Sequence, residues 1–330
     1  MGRRDVRSRR RRPLRKGELV RIRSREEILA TLEADGSLGG LPFMPEMLQY
    51  AGQEIRVHAR ADKTCDTVTM TGTSRQMDNT VHLEGLRCDG SAHGGCQAGC
   101  LLFWREEWLA RPGEPAPPSE PALISEDTLQ KATHSVDGQG DTVYRCQATE
   151  LPHASRHLSG FDPRQYVKDL RYGNVGPATM VRGLAVTAFN KVQSLTRRLP
   201  RWLRFRDGAH YPFYQGTGDG TRTPTIDLAP GDLVAIRDKD EIMATLSPAN
   251  TNRGMWFDLE MLPYCGRQAR VDRQVERIIN EATGKMIKLS DCVVLEGVVC
   301  SGRYRRFCQR GVTPYWRSAW LRRVDDRAGG

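Results

Sequence analysis

No run of about 18 apolar residues occurs anywhere in the chain, so no transmembrane helix is expected. The arginine-rich opening, residues 1–16, has no apolar h-region and does not read as a secretory signal. The expected location is therefore cytoplasmic, peripheral to a membrane at most. Several catalytic signatures are absent: no Gly-x4-Gly-Lys-Ser/Thr phosphate loop, no His-Glu-x-x-His and no Gly-x-Ser-x-Gly. Nucleotide, zinc-protease and serine-hydrolase chemistry lose their usual carriers, and no catalytic residue is assigned. Cys-x2-Cys spacing is missing too, which excludes the common zinc ribbons and fingers. Aromatic residues make up only 7%. Between Asp169 and Asp207 there is no acidic residue at all.

What is present is a domain written twice. At an offset of 214, residues 17–57 match residues 231–271 at 19 of 41 positions, far above chance. The pairs include Gly17/Gly231, Phe43/Phe257, Glu46/Glu260 and Tyr50/Tyr264. After a two-residue slip the match resumes with Cys88/Cys300, Cys96/Cys308, Trp104/Trp316 and Trp108/Trp320. A unit of this size is a domain. Short alternating segments dominate each copy, at 19–23, 54–61, 66–73 and 81–87 in the first. In the second, 271–279 and 285–289 flank a Glu-Ala-Thr-Gly turn and predict a hairpin. The opening strand, Gly-Glu-Leu-Val or Gly-Asp-Leu-Val, resembles that of SH3-like barrels. The resemblance implies two tandem SH3-like small β-barrel repeats in a mainly β protein with an α connector. The organisation expected is a disordered basic arm 1–16, repeat 1 over 17–111, a Pro-rich linker 112–124, a helical basic connector 125–210 and repeat 2 over 229–324.

Nine cysteines in a reducing compartment read as metal ligands. Repeat 2 holds four, Cys265, Cys292, Cys300 and Cys308, the number a tetrahedral site needs. Repeat 1 keeps Cys88 and Cys96, has Ala51 and Thr80 in place of the other two, and brings in Cys65 and Cys100. Four ligands retained at shifted positions predict one site per repeat, whose ion is indifferent to which strand supplies each thiolate. Cys146 is the reserve ligand should Cys65 point away. His93, in the glycine-rich loop between Cys88 and Cys96, is a second reserve or a plain surface histidine. The alternative for any of them is a buried free thiol packing as a small hydrophobe, and Cys292, inside an apolar strand, fits that best. Four thiolates suit zinc or an iron–sulfur cluster; the spacing matches no ferredoxin, which favours zinc.

Charge is concentrated in two places. Residues 1–16 carry nine bases and one acid, and residues 162–206 ten bases and two acids. Residues 177–199 predict a helix with Val181, Leu184, Ala188, Val192, Leu195 and Leu199 on one stripe. This stripe is expected to pack between the two repeats, with its arginines toward the acidic first repeat; the competing expectation lays it on an anionic membrane. The functional expectation is a non-catalytic, zinc-stapled scaffold that binds a macromolecule or an anionic surface. Its alternatives are a metalloenzyme or iron–sulfur redox accessory using the first-repeat loop, and nucleic-acid binding through the polyanion-seeking segments 1–16 and 164–206.

Overall fold

A computed structural model describes residues 12–69, 73–115, 121–160, 162–221 and 226–324. It is mostly antiparallel β-sheet with few helices. Repeat 1 is built from β1 (Leu19–Ile22), β2 (Glu54–Arg60), β3 (Lys63–Cys65), β4 (Ser74–Gln76), β5 (Thr80–Leu83), β6 (Trp104–Arg105) and β7 (Leu109–Ala110). The connector adds β8 (Arg156–Leu158). Repeat 2 supplies β9 (Leu233–Ile236), β10 (Gln268–Gln274), β11 (Arg277–Ile279), β12 (Met286–Lys288), β13 (Cys292–Leu295), β14 (Trp316–Arg317) and β15 (Leu321–Arg323).

The duplication is carried into the hydrogen bonding. The five-stranded sheets run β6-β5-β2-β1-β7 and β14-β13-β10-β9-β15. Leu19 pairs with Arg56 as Leu233 pairs with Arg270, and both sheets shift register at the same place, between Val57 and Ala59 and between Val271 and Arg273. Side chains follow the backbone. Phe43 meets Trp108 edge-on at 5.0 Å, and Phe257 meets Trp320 at 5.3 Å. The Trp108 indole donates to Thr31 at 3.1 Å and the Trp320 indole to Thr245 at 3.0 Å. Trp108 and Trp320 thus find a polar partner on the turn after a short helix, whereas the buried indoles of Trp104 and Trp316 have none among the described residues. Both sheets are open. Instead of a ladder closing a barrel, the outer strands β6 and β7 are joined by the 3₁₀ turn Glu106–Trp108, which turns the chain without pairing them.

Segment 66–73 forms no strand among its described residues; the chain instead makes the hairpin β3–β4, which β8 extends. The arm boundary also moves. Residues 1–11 lie outside the described residues, but Leu14 is buried in the repeat 1 core, with its carbonyl held by Arg60 at 3.0 Å. Of the linker, residues 116–120 lie outside the described residues.

Two connector helices, α1 (Arg164–Arg171) and α2 (Pro177–Thr196), clamp the repeats together. On α1, buried Asp169 pairs with buried Lys63 of β3 at 2.5 Å. Met180 and Val175 pack with Tyr166 against Phe307 of repeat 2. The expected stripe on α2 does not dock: Val181, Leu184, Val192, Leu195 and Leu199 face solvent. The buried face carries Met180, Gly183 and Gln193 instead. Gly183 allows the closest approach, since a Cβ there would stand 2.2 Å from the Phe307 ring. The Gln193 amide donates to the carbonyls of Phe205 and Ala209, at 3.0 and 3.1 Å. Close backbone approach and satisfied carbonyls settle the docking side here, and the apolar periodicity does not.

Candidate metal centres

The loop after β5 starts at Cys88 and folds back on itself. Gly90 has φ +75°, and a Cβ there would lie 2.1 Å from the carbonyl oxygen of Cys96. Gly302 repeats this with φ +65° and 2.0 Å to the Cys308 carbonyl. Only glycine fits a left-handed turn with backbone this close. The amide of Cys88 donates to the Cys100 carbonyl at 2.8 Å, and that of Cys300 to the Val312 carbonyl at 2.8 Å. The two loops are therefore one device, and Val312 stands where Cys100 stands.

Cys88, Cys96, Cys100 and Cys146 line one cavity of about 30 Å³, with His93, Gln147, Ile279, Glu281 and Arg310 among its other walls. Cys146 arrives from the connector, where its amide is held by the Thr149 hydroxyl at 2.9 Å. Cys65 is not among them; Cys146, the reserve candidate, lines the cavity. No three of the four sulfurs lie within 4.8 Å of one another. Burial pushes the thiol of Cys100 up to about 12 and that of Cys146 up to about 11, and raises that of Cys88 as well. Without a cation these groups hold their protons; a metal must displace them.

A tighter group sits at one edge. His93 is buried: its Nε2 is 3.3 Å from Cys88 Sγ and its Nδ1 3.6 Å from Glu46 Oε1. Cys88 Sγ donates to Glu46 at 3.5 Å. Among the described residues, Glu46, Cys88 and His93 are the one trio whose ligand atoms lie within 4.8 Å of one another. Burial raises the Glu46 pKa and lowers that of His93, so both lean to their neutral forms. Glu46 Oε2 and His93 Nδ1 have no hydrogen-bond partner. The surface-histidine reading of His93 is thus replaced by a buried one. The sequence marks Glu46 only as one of a duplicated pair with Glu260, not as a ligand candidate.

Repeat 2 is assembled differently from the expectation. Cys308 is met by Cys65 from repeat 1, whose amide donates to Cys308 Sγ at 3.0 Å, but Cys65, Cys300 and Cys308 do not all lie within 4.8 Å of one another. The two thiols share a hydrogen bond that raises Cys65 and lowers Cys308. Cys65 and Cys300 line a second cavity of about 480 Å³. Cys265 and Cys292 are not brought to them. Cys265 caps the 3₁₀ turn Leu259–Tyr264 and packs on the repeat 2 core. Cys292 packs with Val275 and Val294, its thiol donating to the Ser290 carbonyl at 3.1 Å as Thr80 donates to Asp78 at 2.7 Å. It is a structural stand-in for a threonine hydroxyl.

The exchange between repeats is reciprocal. The Ile279 amide donates to Cys96 Sγ at 3.3 Å, the counterpart of the Cys65 contact. Gln97 bonds β11 through its amide, to Arg277 at 3.0 Å, and through its side chain. At the centre, buried Arg310 reaches Glu281 at 2.8 Å and contacts Thr67, and Thr67 also touches Glu281. Thr67 and Glu281 are themselves a repeat pair, 214 residues apart. Arg310 had no sequence signal, since repeat 1 has Ala98 in its place.

No protein-family model, curated protein or solved structure matches this chain.

Proposed function

We propose that the chain is an iron–sulfur protein and that Cys88, Cys96, Cys100 and Cys146 carry its cluster. One observation supports this above the others: four thiols from two separate segments line a single small cavity. Four cysteines are the ligand set of iron–sulfur clusters. A lone zinc ion would draw its sulfurs to about 3.8 Å from one another, given metal–sulfur bonds of ~2.3 Å. These sulfurs stand wider than that, around a space with room for about two waters. A body larger than one ion suits them. His93 beside Cys88 then serves as a hydrogen-bond donor to a ligating sulfur, a known lever on potential. The function that follows is a redox accessory, with the two repeats as the scaffold. That scaffold reads as SH3-like on its strand order and on the 3₁₀ turn between its last two strands.

Anaerobic purification followed by iron, zinc and acid-labile sulfide analysis tests this. Iron with sulfide in the wild type, lost in Cys96→Ser and Cys146→Ser, is the expected result. Zinc without sulfide would return the site to a metal staple, and metal retained by Cys146→Ser would assign it to Glu46, Cys88 and His93 alone.

A second reading concerns the surface. The solvent-facing stripe of α2 continues into Trp202, 82% exposed, and Phe205, 60% exposed. Arg182, Arg198 and Arg201 are exposed beside it, in a stretch without acidic residues. Apolar and aromatic residues flanked by arginines suit an anionic lipid surface. Sedimentation with phosphatidylserine vesicles but not phosphatidylcholine vesicles, abolished by Val192→Glu with Leu195→Glu, is the expected outcome; equal binding to both lipids would refute it.

A further inference from the structure

We propose that the cleft between the connector and the cysteine loop of repeat 2 binds a mononucleotide, with the base on an aromatic wall and the phosphate on arginines. It stands independently of the cluster reading.

The cleft holds about 710 Å³, within the range of small-molecule sites. Arg197, Arg206, Arg303 and Arg306 line it, and no aspartate or glutamate does. None of the four makes an ion pair among the described residues. Three of them are placed by neutral partners instead. Arg197 Nε donates to the Gly208 carbonyl at 3.1 Å, and the Arg206 guanidinium stands 4.7 Å from the centre of the Phe213 ring. Arg306 lies over Gly160, where a Cβ would come within 2.6 Å of its Cζ. Carboxylates on the flanking segments are engaged elsewhere: Asp169 by Lys63, Asp258 by Arg305, and Glu260 by the Tyr304 amide and Ser301. Asp207, next to Arg206 in the chain, does not line the cleft. Uncompensated guanidinium forks suit a phosphate. With no carboxylate in the lining to hold magnesium, that phosphate is metal-free. The wall beside them is aromatic. Tyr211 meets Phe213 edge-on at 5.5 Å and Tyr304 at 6.4 Å, so the rings run from the connector into repeat 2. Such faces stack a base.

The backbone points the same way. In the register of Cys96 with Cys308, the first loop has Ser91, Ala92, Gly94 and Gly95 where the second has Arg303, Tyr304, Arg306 and Phe307. Gly94 and Gly95 are left-handed, with φ +71° and +67°, and so are Arg306 and Phe307, with φ +53° and +62°. The loop therefore suits glycine at both places, and repeat 2 bears the strain of larger side chains. Phe307 offsets this by docking against Gly183 of α2. The Arg306 guanidinium makes no hydrogen bond or ion pair among the described residues, so the fold gives no return for its strain; a ligand does. Arg206 and Phe213 are left-handed as well, with φ +48° and +52°. Among the described left-handed residues other than Gly, Asn and Asp, all but Arg253 line this cleft.

Calorimetric titration of the full chain with AMP, GMP, CMP, UMP and FMN tests the proposal. Stacking tolerates any base, so all should bind, with the parent nucleosides and inorganic phosphate weaker by about tenfold or more. Arg303→Ser, Tyr304→Ala and Arg306→Gly each install the residue of the first loop. Each should weaken nucleotide binding by about tenfold or more, and Arg306→Gly should do so without lowering the thermal transition, because glycine suits its backbone. Arg15→Gln, an exposed arginine outside the cleft, should bind as the wild type does. Wild-type affinity in both arginine variants of the loop overturns the proposal, as does inorganic phosphate binding as tightly as the nucleotides. Binding of single-stranded oligothymidylate with no response to any mononucleotide would assign the cleft to a nucleic-acid strand, and the mononucleotide reading would fall.

Discussion

His82 and Val294 stand at the same ladder position of the two repeats, opposite Ala59 and Arg273. The histidine is fully buried, its Nδ1 2.8 Å from the Leu102 carbonyl, and burial holds its pKa down to about 3. In the unfolded chain it titrates near ~6.5. The folded value is the lower one, so on acidification the unfolded state takes the proton first. Stability is then lost as pH falls from about 6.5 toward 3, by up to about 1.4 kcal/mol per pH unit. His82→Val, borrowing the residue of repeat 2, is expected to remove about 2 kcal/mol of the stability difference between pH 7 and pH 5 in urea unfolding. An unchanged pH slope would contradict this. Leu14 supplies a second residue-scale expectation. Leu14→Ala should cost about 2–3 kcal/mol because the side chain is only 3% exposed, whereas removal of residues 1–11, arginine-rich and almost without apolar groups, should cost little.

At the scale of the element, α2 separates amphipathic pattern from docking. Its periodic stripe is solvent-exposed, and the contact with repeat 2 runs through Gly183 and Phe307. Gly183→Val is therefore expected to destabilise the protein by about 1–3 kcal/mol through overpacking. Val181→Ser, on the exposed face, should stay within about 0.5 kcal/mol of the wild type. Thermal denaturation of the two variants checks the assignment; reversed magnitudes would mean the stripe is the docked face. The short helix Arg25–Leu29 shows the opposite case, where local chemistry is sufficient. Ser24 accepts from the Glu27 amide while Glu27 accepts from the Ser24 amide, a capping box legible in four residues.

For the whole molecule the decisive feature is the reciprocal exchange. Each repeat sends one strand to the other's cysteine loop, and Arg310, Thr67 and Glu281 meet between them. Arg310 is 3% exposed, so its charge depends on Glu281. Glu281→Gln is expected to lower stability by about 3 kcal/mol, leaving a buried guanidinium short of its carboxylate. The loss should appear as a single cooperative transition shifted down, because both repeats share the contact; two separated transitions would show that the repeats fold independently.

The duplication, the strands opening each repeat, the tryptophan pairs and the loop cysteines Cys88, Cys96, Cys300 and Cys308 are all legible in the order of residues. These are local or repeated features, and repetition at a constant offset survives without knowledge of the fold. The sequence also named Cys100 and, in reserve, Cys146 for the first loop. Which thiols come near one another depends on the folded chain. Cys65 lies 243 positions from Cys308, and a β-strand crossing to the other repeat, not spacing, joins them. Cys265 and Cys292 had the right count and the right repeat, but their backbone positions face a core and a threonine-like hydrogen bond. Glu46 and Arg310 became visible, and His93 moved from surface to interior, for the same reason: burial and partnership are set by what the rest of the chain brings, and neither is written in the order of residues.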